Sequence, residues 1–290
     1  MESLMDFLVR ECKRRETNMK PTDFIENGIV HCGICGEAVQ DIVRDHNGSL
    51  QKVAKTCKCE REEAEQRRKK QTEGYIQELR QISKKSMIEK NKRESMLGTH
   101  YQKACFDRAV TEGCEAVYKK CRKYATSFSE AMRKNIGLLL WGEIGTGKSF
   151  FAACIANSLL EQGYKVVMVT LPQIMQTGKE EANALFAKMT EADLLILDDL
   201  GKQRNTAYGL EQLFSIVDTR YQSNKPVVVT TNLTTQEMME ERDSSYSAVY
   251  DRILEMCHPI NVVGKSFRLK KAFERYRQAE AFLIGDDFCG

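Results

Sequence analysis

Long apolar runs are absent from this 290-residue sequence, and none approaches the ~20 residues that a membrane-spanning helix needs. An excess of either charge is missing too, with 44 Lys and Arg set against 41 Asp and Glu. That balance neither demands nor excludes nucleic acid, so any DNA contact is expected to be a local patch. The amino terminus, MESLMDFLVR, has an acid at position 2 and no uninterrupted apolar stretch, and no secretory signal is expected there. These absences predict a cytoplasmic protein with no membrane partner. Cysteine, by contrast, is plentiful at 11 residues. In a reducing compartment such thiols stay free or hold metal rather than form a disulfide framework. The length suffices for one full α/β domain and a smaller companion.

Residues 136–149, IGLLLWGEIGTGKS, run from an apolar strand into the pattern Gly142-x-x-x-x-Gly147-Lys148-Ser149, which is a P-loop. Glycines let backbone N–H groups face phosphate oxygens, Lys148 reaches the β/γ-phosphates, and the Ser149 hydroxyl suits Mg²⁺. The helix that follows aims its positive dipole end at the same phosphates. The nucleotide-binding set is Gly142, Gly145, Thr146, Gly147, Lys148, Ser149 and Phe150.

Four more apolar runs read as buried parallel strands: Tyr164–Thr170, Asp193–Leu197, Pro226–Thr231 and Pro259–Val263. Helical patterns alternate with them, the clearest being Leu210, Leu213, Phe214, Val217 and Tyr221. That alternation predicts a doubly wound parallel sheet with its ligand beyond the carboxyl ends of the strands. The third of the five strands ends in Asp198-Asp199, a Walker B pattern in which Asp198 holds Mg²⁺ and Asp199 polarises the attacking water. The fourth ends in Thr230-Thr231-Asn232, where the Asn232 amide would orient that water and sense the γ-phosphate.

Nearer the amino terminus, Cys32-x-x-Cys35 and Cys57-x-Cys59 form two close thiol pairs about twenty residues apart, a spacing that suits tetrahedral Zn²⁺. Residues Arg44 to Gly48 supply a hairpin-like turn between them. The second pair is tight, so His31 or His46 is an alternative ligand for one cysteine. A module of this size is marginal without a staple, and structural zinc contributes an apparent ~10–16 kcal/mol. The remaining cysteines (Cys12, Cys105, Cys114, Cys121, Cys154, Cys257 and Cys289) lack ligand spacing and are expected in cores. Leu4, Phe7 and Leu8 form an apolar face expected to cap the module, the alternative being a partner docked on it, and Glu60–Arg93 reads as a solvated, charged helix linking the domains.

LLILDDLG (194–201), the Arg220-Tyr221 pair, VVVTTNL (227–233) and SFRL (266–269) resemble the DnaC/DnaI-type replicative helicase loaders and the related IstB transposition ATPases, all of the AAA+ class. The resemblance spans roughly residues 95–280. It implies ATP as the nucleotide and Arg252, in YDRIL, as an arginine finger donated to a neighbouring subunit, with Arg268 as a second nucleotide-sensing arginine. Arg220, Glu241 and Arg242 receive no role from it. Two departures stand out. Asp199 occupies a position where vigorous hydrolases of the class carry Glu, which implies slow turnover. The usual helical lid is missing or reduced to one helix, Leu269–Leu283, which leaves nucleotide exchange to neighbouring subunits.

The expected fold is α/β, an AAA+ P-loop NTPase with a five-stranded parallel sheet and a reduced lid, plus a small zinc-binding module and a helical linker. The expected domains are a module at 1–60, a linker at 61–95 and an ATPase domain at 96–290. The resemblance implies an ATP-dependent loader that binds the hexameric replicative DNA helicase, places it on single-stranded DNA and self-associates through its ATP site. The rival is an IstB-like transposition helper that binds target DNA for a transposase. A binding protein with purely structural nucleotide is disfavoured by the intact Lys148, Ser149 and Asp198.

Overall fold

The structure is a computed structural model, and it describes residues 4–177, 179–201, 207–264 and 266–284. Cys289 lies outside the described residues. The chain divides into two compact units, Met1–Ile82 and Ser83–Gly290. No helix among the described residues is long and apolar enough to cross a membrane.

The first unit opens with helix α1 (Leu4–Thr17), followed by the antiparallel hairpin of β1 (Phe24–Glu26) and β2 (Ile29–His31). Asn27 and Gly28 join these strands with positive φ at both positions, the conformation a two-residue hairpin turn of matching twist requires. A second hairpin pairs β3 (Gln40–Arg44) with β4 (Leu50–Ala54), Arg44 facing Leu50. Its turn is held by the Asp45 carboxylate, which accepts from the N–H groups of Asn47 and Ser49, both at 2.9 Å. The buried core is small: Val30, Cys32, Val39 and Cys57.

The capping face of α1 is not the one expected. Leu4 and Phe7 are 75% and 44% exposed, whereas Cys12, two turns later, is buried. Glu16, one turn beyond Cys12, accepts from Gln40 at 2.9 Å and from Lys52 at 3.2 Å. Polar anchoring to β3 and β4 therefore selects which stripe of α1 faces inward.

Helix α2 (Lys58–Glu94) follows, and from Arg61 to Lys85 it is exposed on every side. Its charges pair along the helix, as in Glu63 with Arg67 and Glu65 with Lys69, contacts worth ~0.2–0.5 kcal/mol each.

In the second unit, α3 (Glu115–Thr126) and α4 (Phe128–Arg133) precede β5 (Gly137–Trp141) and α5 (Lys148–Gln162). Then come β6 (Val166–Thr170), α6 (Leu171–Gln176), α7 (Lys179–Glu191), β7 (Leu194–Leu200) and α8 (Ala207–Gln222). The chain continues through β8 (Val227–Thr231), α9 (Thr235–Met239), α10 (Ser244–Met256), β9 (Cys257–Asn261) and α11 (Phe267–Ile284). The five strands form one parallel sheet in the order β6-β7-β8-β5-β9.

Alternate residues of each strand feed two separate cores. Leu138, Leu140, Met168 and Ile196 pack with α3, α4 and α5, while Leu139, Val167, Leu195 and Val229 pack with α6, α7, α8 and α10. A sheet covered on both faces needs apolar residues at consecutive positions, which is why these strands read as unbroken apolar runs.

The fifth strand begins two residues before its expected start. Gly137 pairs with Cys257 and Trp141 with Asn261, and a side chain at Gly137 would overlap the Val227 carbonyl and the Cys257 sulfur. Pairing with β5 thus sets the register of β9, and Pro259 is tolerated because β9 is an edge strand.

Candidate functional site

The loop between β5 and α5 has positive φ at Gly142, Gly145 and Gly147, and α5 begins at Lys148. Gly145 has a tight neighbour as well, since a Cβ there would lie 2.2 Å from the Ser266 hydroxyl. The N–H of Phe267 donates to the Gly145 carbonyl at 3.0 Å, so the start of α11 sits against the loop. Lys148 Nζ donates to the carbonyls of Gly142 at 2.8 Å and Glu143 at 2.6 Å. Burial lowers the Lys148 pKa, against the raising charge of Asp199; Arg268 lowers it further, and Asp198 raises it. Thr146 donates to the Glu143 carbonyl and braces the loop.

Opposite the loop, β7 departs from regular pairing. Leu197 faces Val229 and Leu200 faces Thr231, which leaves Asp198 and Asp199 together against the single residue Thr230. Two residues against one is a β-bulge, a device that re-aims a side chain. The Thr230 hydroxyl occupies the gap, donating to Asp198 Oδ1 at 2.6 Å and accepting from the Asp199 N–H at 2.8 Å. Asp198 is buried, whereas Asp199 is exposed and held at φ +58°, a strained value for a residue with a side chain. Asn232 Nδ2 lies 3.5 Å from Asp199 Oδ1.

These groups line one cavity of about 590 Å³. Gly145, Gly147, Lys148, Ser149 and Phe150 form its loop side, Asp198, Asp199 and Asn232 its strand side, and Arg268 its third wall. The carboxyl ends of β6 and β8 add Thr170 and Thr230. Gly142 and Thr146 shape the loop without lining the cavity. Arg252 does not reach it either. Its Nε donates to Asp218 Oδ1 at 2.9 Å, and its guanidinium stacks over Phe214 at 4.7 Å. The Ser149 hydroxyl and the Asp198 carboxylate share the cavity, and two hard oxygen donors of this kind suit Mg²⁺.

Sequence reasoning missed His100, Tyr101, Arg108, Val110 and Phe267, which line the same cavity. The first four lie some forty residues before the loop and carry no motif. Asn157 on α5 ties them in, donating to the carbonyls of Tyr101 at 2.9 Å and Ala104 at 2.7 Å.

Arg220 also gains a description. It is fully buried, and its guanidinium donates to the carbonyls of Ala192 at 2.5 Å and Pro226 at 2.6 Å, with longer contacts to Met189, Thr190 and Asp193. It caps the carboxyl end of α7, where a cation meets the negative end of the helix dipole. Burial lowers its pKa to about 10.

In the first unit the sulfurs of Cys32, Cys35, Cys57 and Cys59 all lie within 4.8 Å of one another. Tetrahedral Zn²⁺ with Zn–S bonds of ~2.3 Å spaces its sulfurs ~3.8 Å apart, which this grouping accommodates. Backbone N–H groups of Glu37 and Cys59 bring the Cys35 thiol down to about 6, while its hydrogen bond with Cys35 pushes Cys59 up to about 12. Neither His31 nor His46 belongs to the group. His31 instead stacks on Phe24, with ring centroids 5.4 Å apart.

Comparison with known proteins places this geometry among relatives. The family described as IstB-like ATP binding protein matches residues 50–275. The replicative helicase loader DnaC of Escherichia coli K12 is 32% identical over 139 residues, which is 45% of this chain and 55% of that protein. The chain thus spans about half the length of that relative. The replicative helicase loader DnaC of Buchnera aphidicola (subsp. Acyrthosiphon pisum, strain APS) is 28% identical over 235 residues, covering 74% of this chain and 88% of the relative. The crystal structure of DnaI superposes with a TM-score of 0.51 at 20% identity, covering 59% of this chain and 94% of that one. That likeness shows a shared fold.

Proposed function

This chain belongs to the family of IstB-like ATP binding proteins and is a P-loop ATPase, and from that premise we propose that it is a helicase loader. In this reading it binds the hexameric replicative helicase, delivers it to single-stranded DNA, and uses ATP binding and slow hydrolysis as the switch between assembly and release. The observation that carries the proposal is the pairing, in one chain, of a single convergent ATPase cavity with a separate thiol-clustered unit. The identity to DnaC proteins supports the same choice.

The roles follow from position. Lys148 leaves its loop carbonyls to meet the β/γ-phosphates, and the loop N–H groups hold the remaining phosphate oxygens. Mg²⁺, held by Ser149 and Asp198, supplies neutralisation of phosphate charge when bound. Thr230 keeps the Asp198 carboxylate aimed, and Asp199, re-aimed by the bulge, accepts the water's proton while Asn232 orients that water. The short, strained Asp199 suits a timer, with turnover below the ordinary enzyme median of ~10 s⁻¹. Arg268 senses the nucleotide from the start of α11, and Arg252 serves the site of a neighbouring copy. Zn²⁺ on the four cysteines supplies the folding staple of the helicase-gripping unit.

The test mixes the purified full-length protein with its host's hexameric replicative helicase and measures complex mass with ATP, ADP or no nucleotide. The expected result is a stable complex whose stoichiometry changes with ATP, and a Lys148→Ala variant that still binds but no longer responds. Absence of a complex in every state would overturn the loader reading. The family's IstB description then favours the transposition helper, tested with target DNA and transposase.

A further inference from the structure

Arg252 is more tightly held than a surface arginine on a helix would be. Three groups from α8 surround it. Asp218 Oδ1 accepts from its Nε at 2.9 Å, the Phe214 ring lies 4.7 Å beneath the guanidinium, and the Tyr221 ring lies at 5.9 Å. Two of these groups are fixed in turn, and Phe214 packs half-buried against the core. The second Asp218 oxygen accepts from Gln222 Nε2 at 2.7 Å, and the Tyr221 hydroxyl donates to Glu255 at 3.0 Å. On its own helix, Arg252 Nη1 donates to the Ala248 carbonyl at 3.1 Å. Among the described residues nothing engages Nη2.

A guanidinium offers its five N–H bonds in one rigid plane. Fixing Nε and Nη1 while stacking the plane on an aromatic face leaves one edge, at Nη2, presented in a single orientation. An arginine that serves a neighbour's phosphate gains from this, because its side-chain freedom is lost before assembly rather than during it.

We propose that Asp218 is a positioning residue for ATP hydrolysis: it orients Arg252, through Nε, toward the γ-phosphate of a nucleotide held by a second copy of this chain. The inference rests on the reading of Arg252 as a finger acting between copies, and it adds the group that aims it.

Asp218→Asn keeps the shape of the side chain and removes the charge that holds Nε. The protein is assayed by phosphate release across a concentration series that drives assembly. Turnover per protomer of the assembled protein falls roughly 10–100-fold, the scale of a misplaced catalytic group, with the KM for ATP unchanged. The melting temperature falls by a few degrees at most, because asparagine keeps the shape of the site and the stacking of Arg252 on Phe214 remains. In an Arg252→Ala background the same substitution has no further effect, since the group it aims is gone.

Mixing separates the inference from the reading beneath it. Lys148→Ala protomers cannot hydrolyse but still donate an intact finger. Added to either Asp218→Asn or Arg252→Ala protomers, they restore turnover, while mixing those two with each other does not. Failure of Lys148→Ala to rescue Arg252→Ala overturns the finger between copies, and the inference falls with it. Rescue of Arg252→Ala, together with full or raised turnover in Asp218→Asn alone, leaves the finger standing and overturns only the role of Asp218.

Discussion

The unit before Ser83 buries Cys12, Val30, Cys32, Val39, Val53 and Cys57, a small core in which thiols do half the filling. The unit that follows buries two apolar clusters, one on each face of a five-stranded sheet. A core as small as the first cannot offset the chain entropy of its loops and hairpins by apolar burial alone, whereas the second can. The difference teaches that the two units answer to different perturbations. On the zinc reading proposed above, metal ligation governs one, while apolar packing and buried hydrogen bonds govern the other.

The largest expected effect is therefore confined to the first unit. Chelation of zinc, or Cys57→Ser, should remove an apparent ~10–16 kcal/mol of folding free energy there. Far-UV circular dichroism and elemental analysis report that loss. The fluorescence of Trp141, the chain's only tryptophan, reports the second unit and should melt as before, with ATP binding retained. Lowering the pH acts in the same direction, since protons compete with the metal for the thiolates. If both units melt together on chelation, the division of labour is wrong.

The converse perturbation is Arg220→Met. It fills the volume of the side chain but leaves the Ala192 and Pro226 carbonyls without the guanidinium donor. Each orphaned buried group costs ~1–3 kcal/mol, so the second unit should lose about 3 kcal/mol in a denaturant titration followed at Trp141. The zinc content should stay at one per chain. A melting curve unchanged from the parent would mean that water replaces the guanidinium, and Arg220 would then contribute nothing to the rigidity of that unit.

The smallest effect sharpens the comparison within the second unit. Thr230→Val keeps the packing of β8 and deletes both hydrogen bonds that steady the bulge. Stability should fall by about 1–2 kcal/mol. Phosphate release should fall further than that loss explains, because Asp198 is no longer aimed. Equal, small effects on both would make Thr230 a packing residue only.

Legibility in the sequence followed the range of the interactions involved. The P-loop, the helix α5 that follows it, and the Asp198-Asp199 tip were readable because each motif is built by neighbouring residues. The thiol grouping was readable because two short spacings constrain four sulfurs, although the exclusion of His31 and His46 was not. The register of β9 was illegible because its partner β5 sets it from more than a hundred residues away. Arg220 gave no sign of its role, since its carbonyl partners Ala192 and Asp193 lie 28 and 27 residues earlier in the chain. The cavity wall at His100 and Tyr101 was hidden for the same reason, Tyr101 being tied to α5 by Asn157, more than fifty residues later.

By itself, then, the sequence determined that this chain forms a phosphate-binding loop, a tipped acidic strand and a four-thiol group. Backbone geometry and local spacing suffice for those, whatever surrounds them. Only the tertiary structure decided that Asp199 leaves the sheet on a bulge while Asp198 stays buried beside Thr230, and that Arg252 is gripped by α8. Those choices depend on pairing register and on side chains from distant segments. Such contacts exist only once the sheet has assembled and its two cores have excluded water.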